Sequence, residues 1–432
     1  MIRQRVYQYG FSLVMIRGIS FLFSLLIIRS LALSDIGNYS YLIGIASFLE
    51  VLTTLGSPVS IQTQSGKSKN SNLAVSASVL GIGFSLFILT IFFTIPLEWI
   101  PDPLRQNTAV FFVLTTVLSN TVIAIAVAYY RSMLNVKNDL YILLGRELLK
   151  FIIILLIKIT FSLDLNNILV IMSAVNILTV LFVLSDLVTR SDKTYFQLKE
   201  NILFLIKNGV QLMLTFFTYA FPLIFVRLFS YTHFGKEAAG LLNICMVTNA
   251  GFQLYAVSWG MAIKPVIGKL NNEQNFPAIS KLWKDYGNVY LAGCLVLYIT
   301  CLVFYGPVLS LFKLDPNNTT TKHLYFIVLL FNLVYSIGSI NNSFLQMLKL
   351  TRFELKGLAW GLLLYPLVVC YCRDKDILTL AWAIVLLELF KLIVQEFVFY
   401  TNNRLKPPYR LLFPALIIIA ASFFTWKFSM LF

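Results

Sequence analysis

The chain has 432 residues, of which 58% are hydrophobic and only 12% are charged, and its mean hydropathy is +0.81. Soluble domains are about a quarter charged, so this chain has too few polar side chains to cover a surface that faces water. These proportions exclude a soluble domain and predict an exposed surface that meets lipid. The net charge of +15 does not require a nucleic-acid partner, because basic residues beside membrane spans face anionic lipid headgroups.

Long apolar segments recur along the whole chain, joined mostly by short polar turns. A helix that crosses the hydrocarbon core needs about 20 predominantly apolar residues, and each segment is close to that length. The sequence therefore predicts a polytopic all-α membrane protein. The predicted spans are 11–33, 39–62, 72–95, 108–130, 139–162, 167–189, 209–231, 239–263, 286–306, 323–346, 356–372, 377–400 and 411–431.

The distribution of basic residues predicts the orientation of these spans. Lys and Arg concentrate in one set of turns, on the same side as Arg3 and Arg5. Because cytoplasmic loops carry the excess of basic residues, we expect the N-terminus in the cytoplasm. The segment 411–431 has Pro414 near its start. It either spans the bilayer, which we favour and which would leave the C-terminus outside, or lies in the interface.

The two halves of the chain carry similar landmarks, which indicates an internal repeat. Residues 34–37 open a helix that runs to Gly56, and residues 236–240 open one that runs to Gly260. The even number of spans in each half makes the repeats parallel, as in transporters that bind substrate between their repeats near the midplane. The predicted divisions are a six-helix lobe over 1–190, a cytoplasmic linker over 191–208, a second six-helix lobe over 209–403, and a basic turn with an extra apolar helix over 404–432.

Polar residues inside the first two spans are candidates for a substrate pathway, because ionisable residues in hydrocarbon are costly and usually functional. Arg17, Ser20 and Ser24 share one face of the first span, where a guanidinium could bind phosphate oxygens. The alternative is an arginine that snorkels to the interface. Ser47 and Glu50 lie on a stripe of small and polar residues in the second span, a pattern that also serves close helix packing.

The second half adds mostly uncharged candidates. Gln253 aligns with Glu50 through the repeat, and polar residues at two equivalent mid-span positions favour a cavity over packing. Glu388 and Lys391 lie one turn apart in the twelfth span and form either a neutral intrahelical pair or an ion-coupling site. The further predicted substrate-binding residues are Asn249, Lys264, Arg227, Asn332 and Asn342.

Two stretches resemble a known family. Residues 33–39, followed by a helix rich in small residues that ends at Leu55-Gly56, and the cytoplasmic stretch 261–286 are similar to those of Wzx-type polysaccharide flippases of the MOP superfamily. The resemblance implies a flippase that moves undecaprenyl-pyrophosphate-linked oligosaccharide, such as an O-antigen unit of lipopolysaccharide, from the cytoplasmic to the periplasmic leaflet of a bacterial inner membrane. The internal repeat and the polar stripes lead us to expect alternating access as its mechanism. The resemblance also implies membrane lipids, a polysaccharide polymerase and a chain-length regulator as partners. The thirteenth segment departs from the expected twelve-helix layout.

Two other classes of function compete with this one. A drug or metabolite exporter of the same superfamily would share the fold, but an exporter of cations would favour an acidic cavity. Here mid-span bases outnumber mid-span acids, which favours an anionic substrate. The residues compared are Arg17, Lys158, Arg227 and Lys264 against Glu50 and Glu388. An enzyme is not expected, since the sequence has no phosphate-binding loop, nucleophile elbow, metal-ligand cluster or dinucleotide fingerprint; neither is a cofactor.

Overall fold

The computed structural model describes residues 2–64, 71–94, 101–133, 136–160, 163–190, 198–348, 364–373 and 375–401. All regular secondary structure in these ranges is helical, which confirms the predicted all-α fold class. The helices are α1 (Ile2–Ser30), α2 (Leu33–Thr54), α3 (Ser57–Gln64), α4 (Ser71–Thr94), α5 (Asn107–Ser132), α6 (Val136–Thr160), α7 (Leu165–Thr189), α8 (Leu198–Thr248), α9 (Ala250–Asn272), α10 (Phe276–Val303), α11 (Tyr305–Leu311), α12 (Thr319–Met347), α13 (residues 364–372) and α14 (Ile377–Thr401).

Within these ranges, five helices are long and apolar enough to cross a membrane, namely α5, α7, α10, α12 and α14. Large apolar side chains are exposed on α7 and α10, among them Phe182 and Ile299, as expected for faces that meet lipid tails. The protein is therefore a multi-pass membrane protein. The predicted thirteenth segment, 411–431, lies outside the described residues.

The chain forms two compact units. The first unit comprises residues 18–231, and the second unit comprises residues 1–17 and 232–432. The lobe boundaries expected from the sequence stay a prediction. Residues 198–208, expected to be part of a linker, are the first turns of α8.

Two predicted spans are interrupted. The span predicted over 39–62 is two helices, because Leu55 (φ 45°) and Gly56 (φ 65°) both adopt the left-handed conformation between α2 and α3. Gly209 of α8 packs against this break so closely that a Cβ on it would overlap the Leu55 carbonyl oxygen. Helix α8 itself has a break at Gly235 (φ 84°), and the span predicted over 239–263 is interrupted at Asn249, between α8 and α9. Glycine supplies the positive φ that other residues adopt at a cost.

The core of the first unit consists of two apolar clusters separated along the helices. One cluster contains Phe112 of α5, Ile154 of α6 and Ile168 of α7. The other contains Ile125, Ile142 and Val183 of the same three helices. Polar side chains occupy the positions between the two clusters on all three helices, and these residues make up the candidate site.

Candidate functional site

The centre of the first unit is a chain of hydrogen bonds that begins at Glu50 of α2. The Asn120 side-chain amide of α5 donates from Nδ2 to Glu50 Oε2 (2.8 Å) and accepts at Oδ1 from Arg146 Nη2 (2.7 Å). The same Arg146 nitrogen donates to Asn176 Oδ1 of α7 (3.2 Å), and Asn176 Nδ2 donates to Thr116 Oγ1 (3.0 Å). Two neutral amides therefore hold the Arg146 guanidinium, and no carboxylate of the described residues contacts it directly.

One turn further along α6, a second set of contacts is built on a direct ion pair. Lys150 Nζ lies 3.2 Å from Glu147 Oε1, and Ser20 of α1 donates to Glu147 Oε2 at 3.0 Å. Lys150 is only 6% exposed. A buried ammonium needs a partner of opposite charge, and Glu147 provides it.

Tyr39 and Arg227 join these groups from α2 and α8. The Tyr39 phenol lies within electrostatic range of Glu147, Arg227 and Arg146. The stem of Arg227 packs against Gly44, where a Cβ would lie 3.2 Å from the Cβ of Arg227. The Nε of Arg227 is buried, and its guanidinium has no hydrogen-bond or carboxylate partner among the described residues.

These residues form one cluster, which we call the polar layer. It contains three cations and two carboxylates, so its formal charge is positive. Glu147 neutralises Lys150 directly, Glu50 acts on Arg146 through Asn120, and Arg227 is left over. Guanidinium groups bind phosphate and carboxylate oxygens through charge-assisted hydrogen bonds, so the layer is suited to an anionic ligand. Its members are Ser20, Tyr39, Glu50, Asn120, Arg146, Glu147, Lys150, Asn176 and Arg227.

Three residues that the sequence nominated lie in the polar layer: Ser20, Glu50 and Arg227. Two other nominated serines do not contribute to it, since Ser24 donates to the Ser20 carbonyl of its own helix (2.9 Å) and Ser47 makes no hydrogen bond to another described residue. Arg17 is exposed and belongs to the second unit.

In the second unit, polar side chains run along the contact between α12 and α14. Lys391 donates to Glu388 Oε1 on its own helix (2.8 Å) and lies 5.3 Å from the centre of the Tyr335 ring. Asn341 of α12 donates to Glu396 Oε1 (2.8 Å). Glu388 and Lys391 are 1% and 5% exposed. The nominated pair is thus a closed, buried ion pair with an aromatic neighbour.

The nominated amides of the second unit share one feature, a buried acceptor without a donor. Asn249 and Asn332 each donate from Nδ2 to the carbonyl four residues earlier (2.9 and 2.8 Å), and their Oδ1 atoms find no donor among the described residues. The buried Oδ1 of Asn342 also has none. Lys264 is half-buried, and the side chain of Gln253 lies outside the described residues.

The sequence interpretation missed the centre of the polar layer, which lies on α6. Arg146, Glu147 and Lys150 stand within five residues of each other inside the predicted span 139–162. Three charges so close together in an apolar segment are the signal that could have identified them. Asn120 and Asn176 carried no such signal, because their role depends on the residues they contact across helices.

Neither a family model nor a curated protein sequence matches the chain. Several solved structures, in contrast, are similar to the chain. A MOP superfamily transporter from Pyrococcus furiosus, described as having a binding pocket of reverse polarity, aligns over 98% of this chain and 97% of its own, with a TM-score of 0.67 and 12% identity. A variant of the MATE transporter VcmN from Vibrio cholerae aligns over 93% of this chain and 98% of its own, with a TM-score of 0.66 and 14% identity.

A multidrug resistance MATE transporter in its outward-facing conformation aligns over 98% of this chain and 97% of its own, with a TM-score of 0.64 and 14% identity. Identities this low are evidence for the fold alone, and the coverage is nearly complete in both directions. The chain has the all-helical fold shared by transporters of the MOP superfamily.

Proposed function

We propose that the protein is a flippase that moves a polyprenyl-pyrophosphate-linked oligosaccharide across a bacterial inner membrane by alternating access, with its N-terminus in the cytoplasm. The observation that carries the proposal is the polar layer, in which Arg227 has no carboxylate partner among the described residues. Arg227 is half-buried with its Nε buried, and a cation taken out of water without a counter-ion is costly. An anionic substrate would supply the missing charge.

Two further features support this substrate class. The resemblance of residues 33–39 and 261–286 to Wzx-type flippases agrees with the MOP superfamily fold. A pyrophosphate is a dense anion that guanidinium groups bind in bidentate fashion, and the polar layer contains two of them, Arg146 and Arg227. In the second unit taken by itself, the buried amide oxygens without a donor among the described residues suit the hydroxyl groups of an oligosaccharide.

The decisive experiment replaces Arg227 in cells that depend on this protein for surface glycan. We expect Arg227→Ala to abolish surface glycan and accumulate the lipid-linked precursor, and Arg227→Lys to retain part of the activity because the charge remains. The matched control is Lys158→Ala, which removes an exposed cation from α6 outside the polar layer and should leave export unchanged. Membrane abundance of each variant is measured alongside.

If Arg227→Ala exports glycan normally at wild-type abundance, the anion-binding role of the layer is wrong. If deletion of the gene leaves the surface glycan intact and the lipid-linked precursor at its normal level, the substrate class is wrong. Transport in reconstituted vesicles, scored by the leaflet in which a labelled lipid-linked oligosaccharide is accessible, separates a failure of transport from a failure of expression.

The second candidate function is an exporter of cationic drugs or metabolites; one of the similar structures is a multidrug resistance MATE transporter. The α12–α14 contact of the second unit favours it, because two buried carboxylates, Glu388 and Glu396, stand there beside one buried ammonium. An exporter predicts that loss of the gene raises sensitivity to cationic drugs while surface glycan stays normal. The flippase predicts the opposite pair of results.

A further inference from the structure

The orientation of the Asn120 side chain is dictated by its two neighbours. A carboxylate only accepts hydrogen bonds and a guanidinium only donates them. The amide nitrogen of Asn120 must therefore face Glu50, and its oxygen must face Arg146, as the contacts of 2.8 and 2.7 Å show. The amide keeps the two charges apart and still satisfies a hydrogen bond from each.

Asn176 holds the same guanidinium from the other side. Its oxygen accepts from Arg146 Nη2 (3.2 Å), and its nitrogen is fixed by the Thr116 hydroxyl (3.0 Å). Both amides use the same terminal nitrogen of Arg146. The other N–H groups of the guanidinium have no acceptor among the described residues, and Nε is buried.

If the positive charge of Arg146 only had to be neutralised, its guanidinium would be expected in direct contact with a carboxylate. The ammonium of Lys150 has such a contact with Glu147. Arg146 has carboxylates nearby but is held by neutral amides that fix its position and leave its charge uncompensated at contact distance. We propose that Arg146 is a second anion-binding residue of the polar layer and that Asn120 and Asn176 are its positioning residues. The inference rests on the proposed function in one respect, that the anion is the phosphate group of the transported lipid.

The test exchanges the amide and the carboxylate. The double variant Glu50→Gln/Asn120→Asp keeps the net charge and the two contacts of position 120, with the new amide at position 50 now donating to the new carboxylate at position 120, but it places a carboxylate in direct contact with Arg146. Purified protein in detergent is titrated with inorganic pyrophosphate by calorimetry, so that no assumption about the glycan enters. We expect the exchange to weaken pyrophosphate binding by about tenfold or more, since the carboxylate would then occupy the guanidinium in place of the anion.

Three further measurements complete the test. Arg146→Ala is expected to weaken pyrophosphate binding at least as much as the exchange does. Arg146→Lys is expected to weaken it partly, because lysine keeps the positive charge but lacks the paired N–H donors of the guanidinium. Lys158→Ala, the control on the same helix, should bind as the wild type does. The thermal unfolding temperature of the exchange variant should stay close to that of the wild type.

The proposal is overturned if the exchange variant binds pyrophosphate as the wild type does, since total charge alone would then decide affinity. It is equally overturned if Arg146→Ala binds normally. Should the exchange variant not fold, Arg146→Ala and Arg146→Lys still decide whether Arg146 binds the anion, and Asn120→Ala, which leaves the charge unchanged, decides whether Asn120 positions Arg146. Pyrophosphate binding that depends on Asn120 in a protein that exports no glycan would contradict the flippase proposal while supporting this one.

Discussion

The two units bury charge in different ways. In the first unit, Glu50 and Arg146 are separated by the neutral amide of Asn120, and Arg227 has no carboxylate partner among the described residues. In the second unit, Glu388 and Lys391 touch directly on one helix. A direct pair neutralises itself, whereas a separated pair leaves charge available to a ligand. The comparison supports the proposal that the anion is bound in the first unit.

The second unit offers acceptors where the first unit offers donors. Oxygen atoms of Asn249, Asn332 and Asn342 are buried without a donor among the described residues. Helices α9 and α12 run in parallel, since Phe252 meets Ser336 and Gly260 meets Ser343. Asn249 and Asn332 each precede the first of these contacts by about one turn, so they lie at the same depth. Neutral acceptors of this kind suit hydroxyl groups.

The largest expected effect comes from breaking the closed pair of the second unit. Lys391→Met should destabilise the protein by about 3–5 kcal/mol, because it leaves Glu388 buried and unpaired. The double variant Glu388→Leu/Lys391→Met should recover most of the loss, since replacing both members of a buried pair with apolar residues is often neutral. Thermal unfolding in detergent measures both.

The same double variant separates the two interpretations of the pair. If the folded double variant still transports, the pair is structural, and if it folds without transporting, ion coupling at Glu388 is supported. A single Lys391→Met variant as stable as the wild type would contradict the closed-pair description. Lys158→Met, on an exposed part of α6, controls for the loss of a lysine as such.

Two asparagines of α12 differ in whether their side-chain groups have hydrogen-bond partners. Replacing each with leucine should therefore change the free energy of unfolding by a smaller amount and in opposite directions. Asn332→Leu removes a buried oxygen that has no donor among the described residues, and should leave stability unchanged or raise it by about 1 kcal/mol. Asn341→Leu takes a hydrogen bond from Glu396 and should cost about 1–3 kcal/mol. Unfolding temperatures of the two variants give the comparison.

The functional result at Asn332 is expected to run against its stability. Asn332→Leu should lower transport of the glycan if the free oxygen serves the substrate. A variant that is more stable and transports as the wild type does would remove Asn332 from the substrate pathway. Asn341→Leu is the matched control, because it makes the same replacement, asparagine to leucine, at another position of the same helix.

The sequence predicted the fold well because lipid imposes a simple rule on length and polarity. The segments 72–95, 108–130, 167–189 and 377–400 agree with helices α4, α5, α7 and α14 to within a few residues. The interruptions were harder to predict, since the left-handed conformation of Leu55 depends on the close approach of Gly209, far away in the chain.

The candidate site was only partly predictable. Glu50 and Arg227 were identifiable because a charge in an apolar segment is conspicuous by itself. Asn120 and Asn176 were not, since an asparagine within a span has several ordinary explanations, and only the contacts across α5, α6 and α7 reveal what it holds. The spacing of polar residues in the sequence predicts which residues share a face of a helix, but not which residues of other helices contact that face.

The smallest expected change in the free energy of unfolding concerns the N-terminal caps of two helices, α7 in the first unit and α14 in the second unit. Asp164 accepts from the Asn167 backbone N–H at the start of α7 (2.7 Å), and Asp376 accepts from the Thr379 backbone N–H (2.9 Å) and hydroxyl (2.7 Å) at the start of α14. Replacing either aspartate with alanine should cost about 1 kcal/mol.

The Thr379 hydroxyl and then the Thr379 backbone N–H lower the pKa of Asp376 from its ordinary value of 3.8. Because the folded state then binds fewer protons than the unfolded state, the charge of Asp376 stabilises the protein above pH 3.8 and ceases to do so as the pH falls through the depressed pKa. Asp376→Asn keeps an acceptor at the cap but loses the charge. The difference in unfolding temperature between wild type and variant should therefore be constant near neutral pH and shrink once the pH falls below 3.8. A difference that persists unchanged in acid would show that the charge of Asp376 does not stabilise α14, and the cap would then act through its geometry alone.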